Sequence, residues 1–234
     1  MSPALFNTYI DKILRRLNEV KVGCIHNSVL VNHLIYADDM CLLAPSVKSL
    51  QKLIDECNKE ACGLEIKYNT RKTVCMCIPP KNWKLVRVPK LYLNSQVLDY
   101  VNSYRYLGVF ISKNLSDDED VQRQVRGLYS RANMLVRKFA QCSYETKLQL
   151  FKTYCGNAYC SQLWACVKGQ QFNKLKVAYN NAFRIVFGLS RSCSASEMFI
   201  MNGVNSFGEF IRREVYNFWN RLLNSENYII AGMT

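Results

Sequence analysis

Histidine is nearly missing from this chain: His26 and His33 are the only two, and both lie early in the sequence. Without them the usual zinc vocabulary fails, because Cys155 and Cys160 have no histidine partner nearby and the Cys75-Met76-Cys77 spacing is too short for a half-site. Eleven cysteines are an odd number, and Cys57, Cys62 and Cys166 sit among apolar or helical positions, where a free thiol packs as a small hydrophobe. The sequence also lacks any run near the roughly 18 apolar residues of a membrane span. Its most apolar stretch, Val29 to Ala44, is interrupted by Asn32, His33, Asp38 and Asp39. The first residues carry no basic-then-apolar leader, so the expectation is an intracellular protein with reduced thiols, with nothing to choose between nucleus and cytoplasm. Acidic residues are scarce too. Eighteen Asp and Glu stand against 31 Lys and Arg, leaving a net charge of +13, an excess that draws polyanions and above all nucleic acid.

What is present divides into two styles. From Pro3 the apolar residues Leu5, Phe6, Tyr9, Ile10, Ile13, Leu14 and Leu17 recur with helical spacing after Ser2, a suitable cap. Val20 to Cys24 alternates as a strand, His26 to Ser28 reads as a turn, and Val29 to Tyr36 reads as a second strand. Met40 to Ala44 is a third. Between those last two, Ala37-Asp38-Asp39 belongs at a hairpin tip, where carboxylates reach water while the flanks stay buried. A helix follows from Ser46 to Ala61 with Gly63 as its stop, then strands at Leu64 to Tyr68, Thr73 to Ile78 and Tyr104 to Ile111, the last with Gly108 inside it. Beyond residue 113 the pattern is wholly helical. Ser116 to Glu119 has the form of a capping box, and the next helix sets Val121, Val125, Leu128, Ala132, Leu135, Val136 and Phe139 on one arc. Arg123, Arg126, Arg131, Arg137 and Lys138 fall on the other. Helices are also predicted over 145–167, 172–187, 196–201 and 207–223, the last two with capping-box spacing at Ser194/Glu197 and Ser206/Glu209. The fold class is therefore α+β, with residues 1–112 a mixed unit and 113–234 a helical one.

Tyr36-Ala37-Asp38-Asp39 carries the chemistry. Nucleotidyl transfer uses two divalent cations that activate a hydroxyl and hold a triphosphate, and magnesium prefers oxygen ligands on a stiff support. Paired carboxylates on a tight hairpin suit that need. An ordinary acidic turn between strands would have the same appearance.

The surrounding order of motifs resembles the reverse transcriptases of non-LTR (LINE-type) retrotransposons. Ser2-Pro3, Leu5-Phe6-Asn7, Tyr9 and Ile10-Asp11 match one segment of that family; Tyr36 to Asp39 match its catalytic hairpin. Gly63-Leu64 with Asn69, Lys72 and Thr73 resembles the next motif, and Tyr106-Leu107-Gly108 with Val109 resembles its primer-gripping hairpin. Stretches 150–164, 181–188 (with Arg184) and 203–222 look more loosely like the helical thumb and its extension. The resemblance implies a partial polymerase palm over 1–112 and a thumb with C-terminal extension over 113–234, belonging to an RNA-directed DNA polymerase. It implies that Asp38 and Asp39 are catalytic and hold Mg2+, with Mn2+ as a substitute. Tyr36 and Ala37 would floor the nucleotide site, and Lys72 would approach the triphosphate. Tyr106, Leu107 and Gly108 would place the primer, and Arg123, Arg126, Arg131, Arg137 and Lys138 would track the template–primer backbone. Its partners would be an RNA template, a DNA primer and deoxynucleotides, with no membrane.

In this family a further essential aspartate stands on a palm strand upstream of the segment matched at Ser2, alongside a fingers region and a glycine loop. The chain as given is therefore expected to be inactive by itself, and to expose the apolar surface from Leu5 to Leu17 together with an unpaired strand edge. The alternatives are a non-catalytic nucleic-acid-binding remnant and a decayed gene fragment.

Overall fold

The apolar stripe of the first helix finds its partner inside the chain. In the computed structural model, which describes residues 3–80, 87–156, 159–167 and 169–232 (without the side chains of 3–7, 165, 166 and 228), α1 spans Pro3–Glu19 and α2 spans Val47–Gly63. Ile13, Leu17 and Val20 interlock with Leu53, Cys57 and Ala61, and all six are buried. Two ion pairs flank this seam, Lys12–Glu60 at 3.2 Å and Arg16–Glu56 at 2.7 Å. The expectation of an exposed 5–17 surface is thus corrected for Ile10, Ile13 and Leu17, which α2 and its neighbours cover. The Ser2 cap and the side chains of Leu5 and Phe6 lie outside the described residues.

Between these helices run four short strands, β1 (Cys24–His26), β2 (Val29–Val31), β3 (His33–Tyr36) and β4 (Asp39–Leu42). They pair as two separate antiparallel hairpins, β1 with β2 and β3 with β4. The single strand expected over 29–36 is therefore two strands. Asn32 breaks it: its side chain is 3% exposed, and its Nδ2 donates to the Leu17 carbonyl at 2.7 Å and the Val20 carbonyl at 3.2 Å. The Leu17 carbonyl lies in the last turn of α1, where helical partners run out, and the Val20 carbonyl just beyond it also accepts from the Val22 N–H at 2.7 Å, so the break in the sheet helps to close the helix. Gly23 completes the joint, since a Cβ there would stand 2.5 Å from the Asn32 Cβ.

Ser46, expected as the first residue of α2, is its cap, with its Oγ accepting from the Ser49 N–H at 3.2 Å. Residues 64–68, expected as a strand, are turn and extended chain instead. Leu64, Ile66 and Tyr68 do alternate inward onto the core, but Glu65 takes φ 56° and no strand lies beside them among the described residues. The strand expected over 73–78 shortens to β5 (Val74–Cys75), which runs parallel to β8 (Asp99–Tyr100), a parallel element that the sequence reading did not foresee. The hairpin of β6 (Tyr92–Leu93) and β7 (Gln96–Val97) completes this part. Ile54, Cys75, Leu91, Leu93 and Leu98 form a second small core there.

The strand expected over 104–111 is divided into β9 (Ser103–Tyr106) and β10 (Val109–Ser112) by a turn at Leu107 and Gly108. The chain forms two compact units, residues 1–107 with 225–234 and residues 108–224, so the division falls inside that turn. The second unit is helical after β10: α3 (Asp118–Lys138), α4 (Tyr144–Tyr154), a 3-10 turn over Ser161–Cys166, α5 (Gln170–Phe187), α6 (Ala195–Met201) and α7 (Phe207–Leu223). A short α8 (Tyr228–Ala231) returns to the first unit. The continuous helix expected over 145–167 ends early, at Tyr154. Gly156 turns the chain so closely over Lys152 that a Cβ there would come within 2.7 Å of the Lys152 carbonyl. The capping box expected at Ser116 is also replaced. Asp117 is the cap residue and makes no capping bond, while Ser116 Oγ accepts from the Asp118 N–H at 3.3 Å. The box at Ser206 and Glu209 is complete. Phe151, Phe183 and Phe207 are fully buried at the centre of this unit, within one core supplied by all its helices.

Candidate active site and primer-contacting turn

The carboxylate hairpin is built from β3 and β4 in the register His33↔Leu42, Leu34↔Cys41, Ile35↔Met40 and Tyr36↔Asp39, leaving Ala37 and Asp38 at the tip. Ala37 takes φ 52°. It is the first tip residue, the position that a type II′ turn ordinarily gives to glycine, so a methyl group is held in a conformation L-residues avoid. The hairpin is anchored through β4. Met40 and Leu42 pack on the α1–α2 core, and the Cys57 thiol lies 3.8 Å from the Met40 sulfur. Burial there pushes the Cys57 thiol up to about 12. Buried Asn32 holds the base of the hairpin, its Oδ1 lying 2.7 Å from His33 Nδ1, and partial burial lowers the pKa of that imidazole.

Asp38 and Asp39 are exposed, and among the described residues neither side chain has an ion pair or hydrogen-bond partner. The donor set suits a hard cation, since it offers acceptor oxygens only and spends none of them internally. It supplies two ligands: among the described residues no group of three His, Cys, Asp or Glu gathers into a metal site. Tyr36, 68% exposed, and Leu34 share the open face beside the tip. Tyr106 reaches the same hairpin, donating from its hydroxyl to the Leu34 carbonyl at 3.4 Å. Its phenol is held above the usual range by burial, then by the Cys41 thiolate and the Asp39 charge.

Lys72 is presented by an Asx turn. The Asn69 Oδ1 accepts from the Arg71 N–H at 3.1 Å and the Lys72 N–H at 3.2 Å, and the Asn69 carbonyl accepts from the Lys72 and Thr73 N–H groups at 3.0 and 2.9 Å. Asparagine, lysine and threonine at that spacing thus make one folded loop, with the lysine outward and exposed.

In the helical unit the five basic residues of α3 differ in environment. Arg126, Arg137 and Lys138 are exposed. Arg123 is turned back: its Nε donates to Asp120 Oδ1 at 2.8 Å, and its Nη2 lies 2.7 Å from the same oxygen. Arg131 is half-buried, with Nε and Nη2 lacking partners among the described residues. Asp120, only 5% exposed, also accepts from the Phe110 N–H at 3.2 Å, so α3 grips β10 just after the Leu107–Gly108 turn. That turn has φ 46° at Leu107 and 84° at Gly108, the double positive that a type I′ turn requires. The sequence reading passed over Asp120. An acid in a first helical turn is so common that Asp120 gave no distinct signal.

Residues 1–111 match the family model described as reverse transcriptase (RNA-dependent DNA polymerase). The chain is 31% identical over 117 residues to the Pol polyprotein of the type-1 retrotransposable element R2 of Nasonia vitripennis, covering 47% of this chain and 11% of that protein. It is 22% identical over 204 residues to the RNA-directed DNA polymerase of the mobile element jockey of Drosophila funebris, covering 82% of this chain and 22% of that protein. A third relative, the Pol polyprotein of element R1 2 of Nasonia vitripennis, is 24% identical over 184 residues, covering 72% of this chain and 45% of that protein. The chain thus spans less than half the length of each of these relatives. Over its first 111 residues the chain is similar to the reverse transcriptase family, and the relatives it matches there and beyond are proteins of retrotransposable and mobile elements.

Proposed function

We propose that this chain is part of an RNA-directed DNA polymerase, with residues 1–112 a partial palm and residues 113–234 its thumb and extension. The observation that carries the reading is the exposed Asp38–Asp39 pair at the reversal of the β3–β4 hairpin, whose turn residue, Ala37, is held at positive φ. Bound magnesium would supply the charge that activates a primer hydroxyl and steadies a triphosphate. The chain's own residues do the rest. Asp38 and Asp39 offer oxygens to the metal, Tyr36 and Ala37 form the floor beneath the primer end, and Lys72 meets the triphosphate from its Asx turn. Tyr106, Leu107 and Gly108 place the primer strand. Arg126, Arg137 and Lys138 follow the backbones of the RNA template and DNA primer, and Arg123, held by Asp120, stiffens the helix that carries them. With two carboxylates gathered at the hairpin, the chain by itself does not extend a primer.

The exposed α3 cations favour a second reading, a binding module that needs no metal. One set of measurements separates the two. Mn2+ titrated into the chain and followed by its electron paramagnetic signal should bind, and should bind several-fold more weakly after Asp38→Asn with Asp39→Asn. An RNA–DNA duplex should bind in EDTA as well, weakening steeply with salt as counterions are no longer released. Charge reversal at Arg126 and Arg137 should weaken it further. Unchanged Mn2+ affinity in the double variant would remove the catalytic reading and leave the binding module standing. Primer extension that is lost on Asp38→Asn would overturn the claim of inactivity.

A further inference from the structure

The end of α3, the start of α4 and the end of α5 leave a cavity of about 370 Å³ between them. Its floor is the edge of the helical core, Leu135 and Val186, both buried. Phe139 and Phe187, partly buried against that core, form its walls, and Val136 and Tyr144 stand exposed at its mouth. The aromatic wall is held in place. The ring centroids of Tyr144 and Phe187 lie 4.8 Å apart at an interplanar angle of 49°, and the Tyr144 hydroxyl donates to Asn202 Oδ1, which ties the start of α4 to the end of α6. At the end of α5, Gly188 takes φ 64°, and a Cβ there would meet nothing within 4 Å, so that side stays open. One residue breaks the apolar lining. Lys147 is the only charged residue that lines the cavity, it is partly buried, and its ammonium has no ion pair or hydrogen-bond partner among the described residues. A charge drawn partly out of water beside apolar walls is unfavourable until a counter-charge meets it. A preformed, mostly apolar cavity with one orienting polar group has the make-up of a small-molecule site, for which roughly 300–1,000 Å³ is usual.

We propose that this cavity binds a small aromatic monoanion. The flat body lies against Phe139 and the Tyr144–Phe187 pair, and its carboxylate or sulfonate meets the Lys147 ammonium in a charge-assisted hydrogen bond. The rings in the lining select an aromatic body over an aliphatic one, and the lone positive charge selects an anion over a neutral or cationic molecule of the same shape. Three helices wall the space, which suits a compact molecule better than an extended chain. The assignment uses neither metal nor nucleic acid, so it stands or falls apart from the polymerase reading.

The probe is 8-anilinonaphthalene-1-sulfonate, an aromatic monoanion whose fluorescence rises as it leaves water, titrated into the full chain. The signal should saturate at one probe per chain. 2-Naphthoate should displace the probe, whereas 2-naphthylmethylamine, the same ring with a positive charge, should compete about tenfold more weakly. Lys147→Met keeps the aliphatic stem and removes the charge. It should weaken the probe and the naphthoate about tenfold and bring the two competitors level, while Lys147→Arg should keep the preference for the anion. Val136→Trp, at an exposed position in the mouth, should abolish binding without lowering the urea midpoint. Affinity unchanged in Lys147→Met, or a cation that competes as well as the anion on the unaltered chain, overturns the assignment. So does a signal that climbs without saturating, which marks loose apolar surface in place of a site. If a variant fails to fold, the competition on the unaltered chain decides by itself. A dimer in sedimentation that binds no probe also counts against it, because a second copy would then cover the cavity.

Discussion

At the tip of the carboxylate hairpin a single methyl group records a conflict between local preference and geometry. Left-handed backbone costs an L-residue about 1–2 kcal/mol relative to its preferred conformation, and glycine far less. Ala37 accepts that cost at φ 52° because the register of β3 against β4 leaves only two residues to reverse the chain. Such strain persists where the surroundings over-determine the backbone, and it commonly marks a site whose geometry is in use. Ala37→Gly should therefore leave the urea midpoint unchanged or raise stability by up to about 1 kcal/mol, with the gain from relaxed strain partly offset by the freer unfolded chain. The same change should weaken Mn2+ binding at Asp38 and Asp39, because a glycine turn holds the two acids less firmly. A stability loss above about 1 kcal/mol would mean that the methyl is packed rather than strained.

Among the elements, the joint between α1 and the first hairpins does the most to set where the acids stand. Asn32 is the single residue between β2 and β3, and its side chain donates to two carbonyls at the end of α1. Asn32→Leu keeps the volume but withdraws the donor to the Leu17 carbonyl, which should cost roughly 1–3 kcal/mol in urea unfolding for one unsatisfied buried carbonyl, while the Val20 carbonyl keeps the Val22 N–H. A loss under about 0.5 kcal/mol would show that the side-chain bonds are replaceable by water. This element also shows what the sequence could and could not tell. The acidic reversal between two apolar runs and the Ser206–Glu209 box were legible because each is a local pattern with a local cause. The break at Asn32 was not, because its cause is a pair of carbonyls that meet it only in the fold. Residues 64–68 misled for the opposite reason. Their alternation is real, and it packs Leu64, Ile66 and Tyr68 inward without any strand to pair with. The early end of α4 depends on the close approach of Gly156 to Lys152, a contact that periodicity does not register. At the site, the motif residues could be found one by one, whereas the support given by Asp120 appears only once α3 is folded beside β10.

For the molecule as a whole, the distribution of apolar burial predicts an uneven stability. Among the described residues, the helical unit gathers 20 buried side chains into one core. The mixed unit divides its burial between a cluster of six and a cluster of five, and its strands pair only two at a time among the described residues. Hydrophobic stabilisation scales with area removed from water, and isolated two-stranded ribbons are marginal without a packed face. Local opening should therefore begin in the mixed unit. Hydrogen exchange on the full chain should find the slowest amides in α3 and α5, with those of β3, β4, β6 and β7 exchanging by openings far below the global unfolding free energy. Of the two features the sequence suggested, the unpaired edges of those ribbons rather than the α1 surface are where self-association should start. Uniform protection across both units would contradict this, because it would require the two small clusters to unfold only together with the large one. The consequence for function is direct. The carboxylate hairpin sits in the less stable unit, so on the proposed reading a template–primer duplex that orders it should slow exchange in β3 and β4.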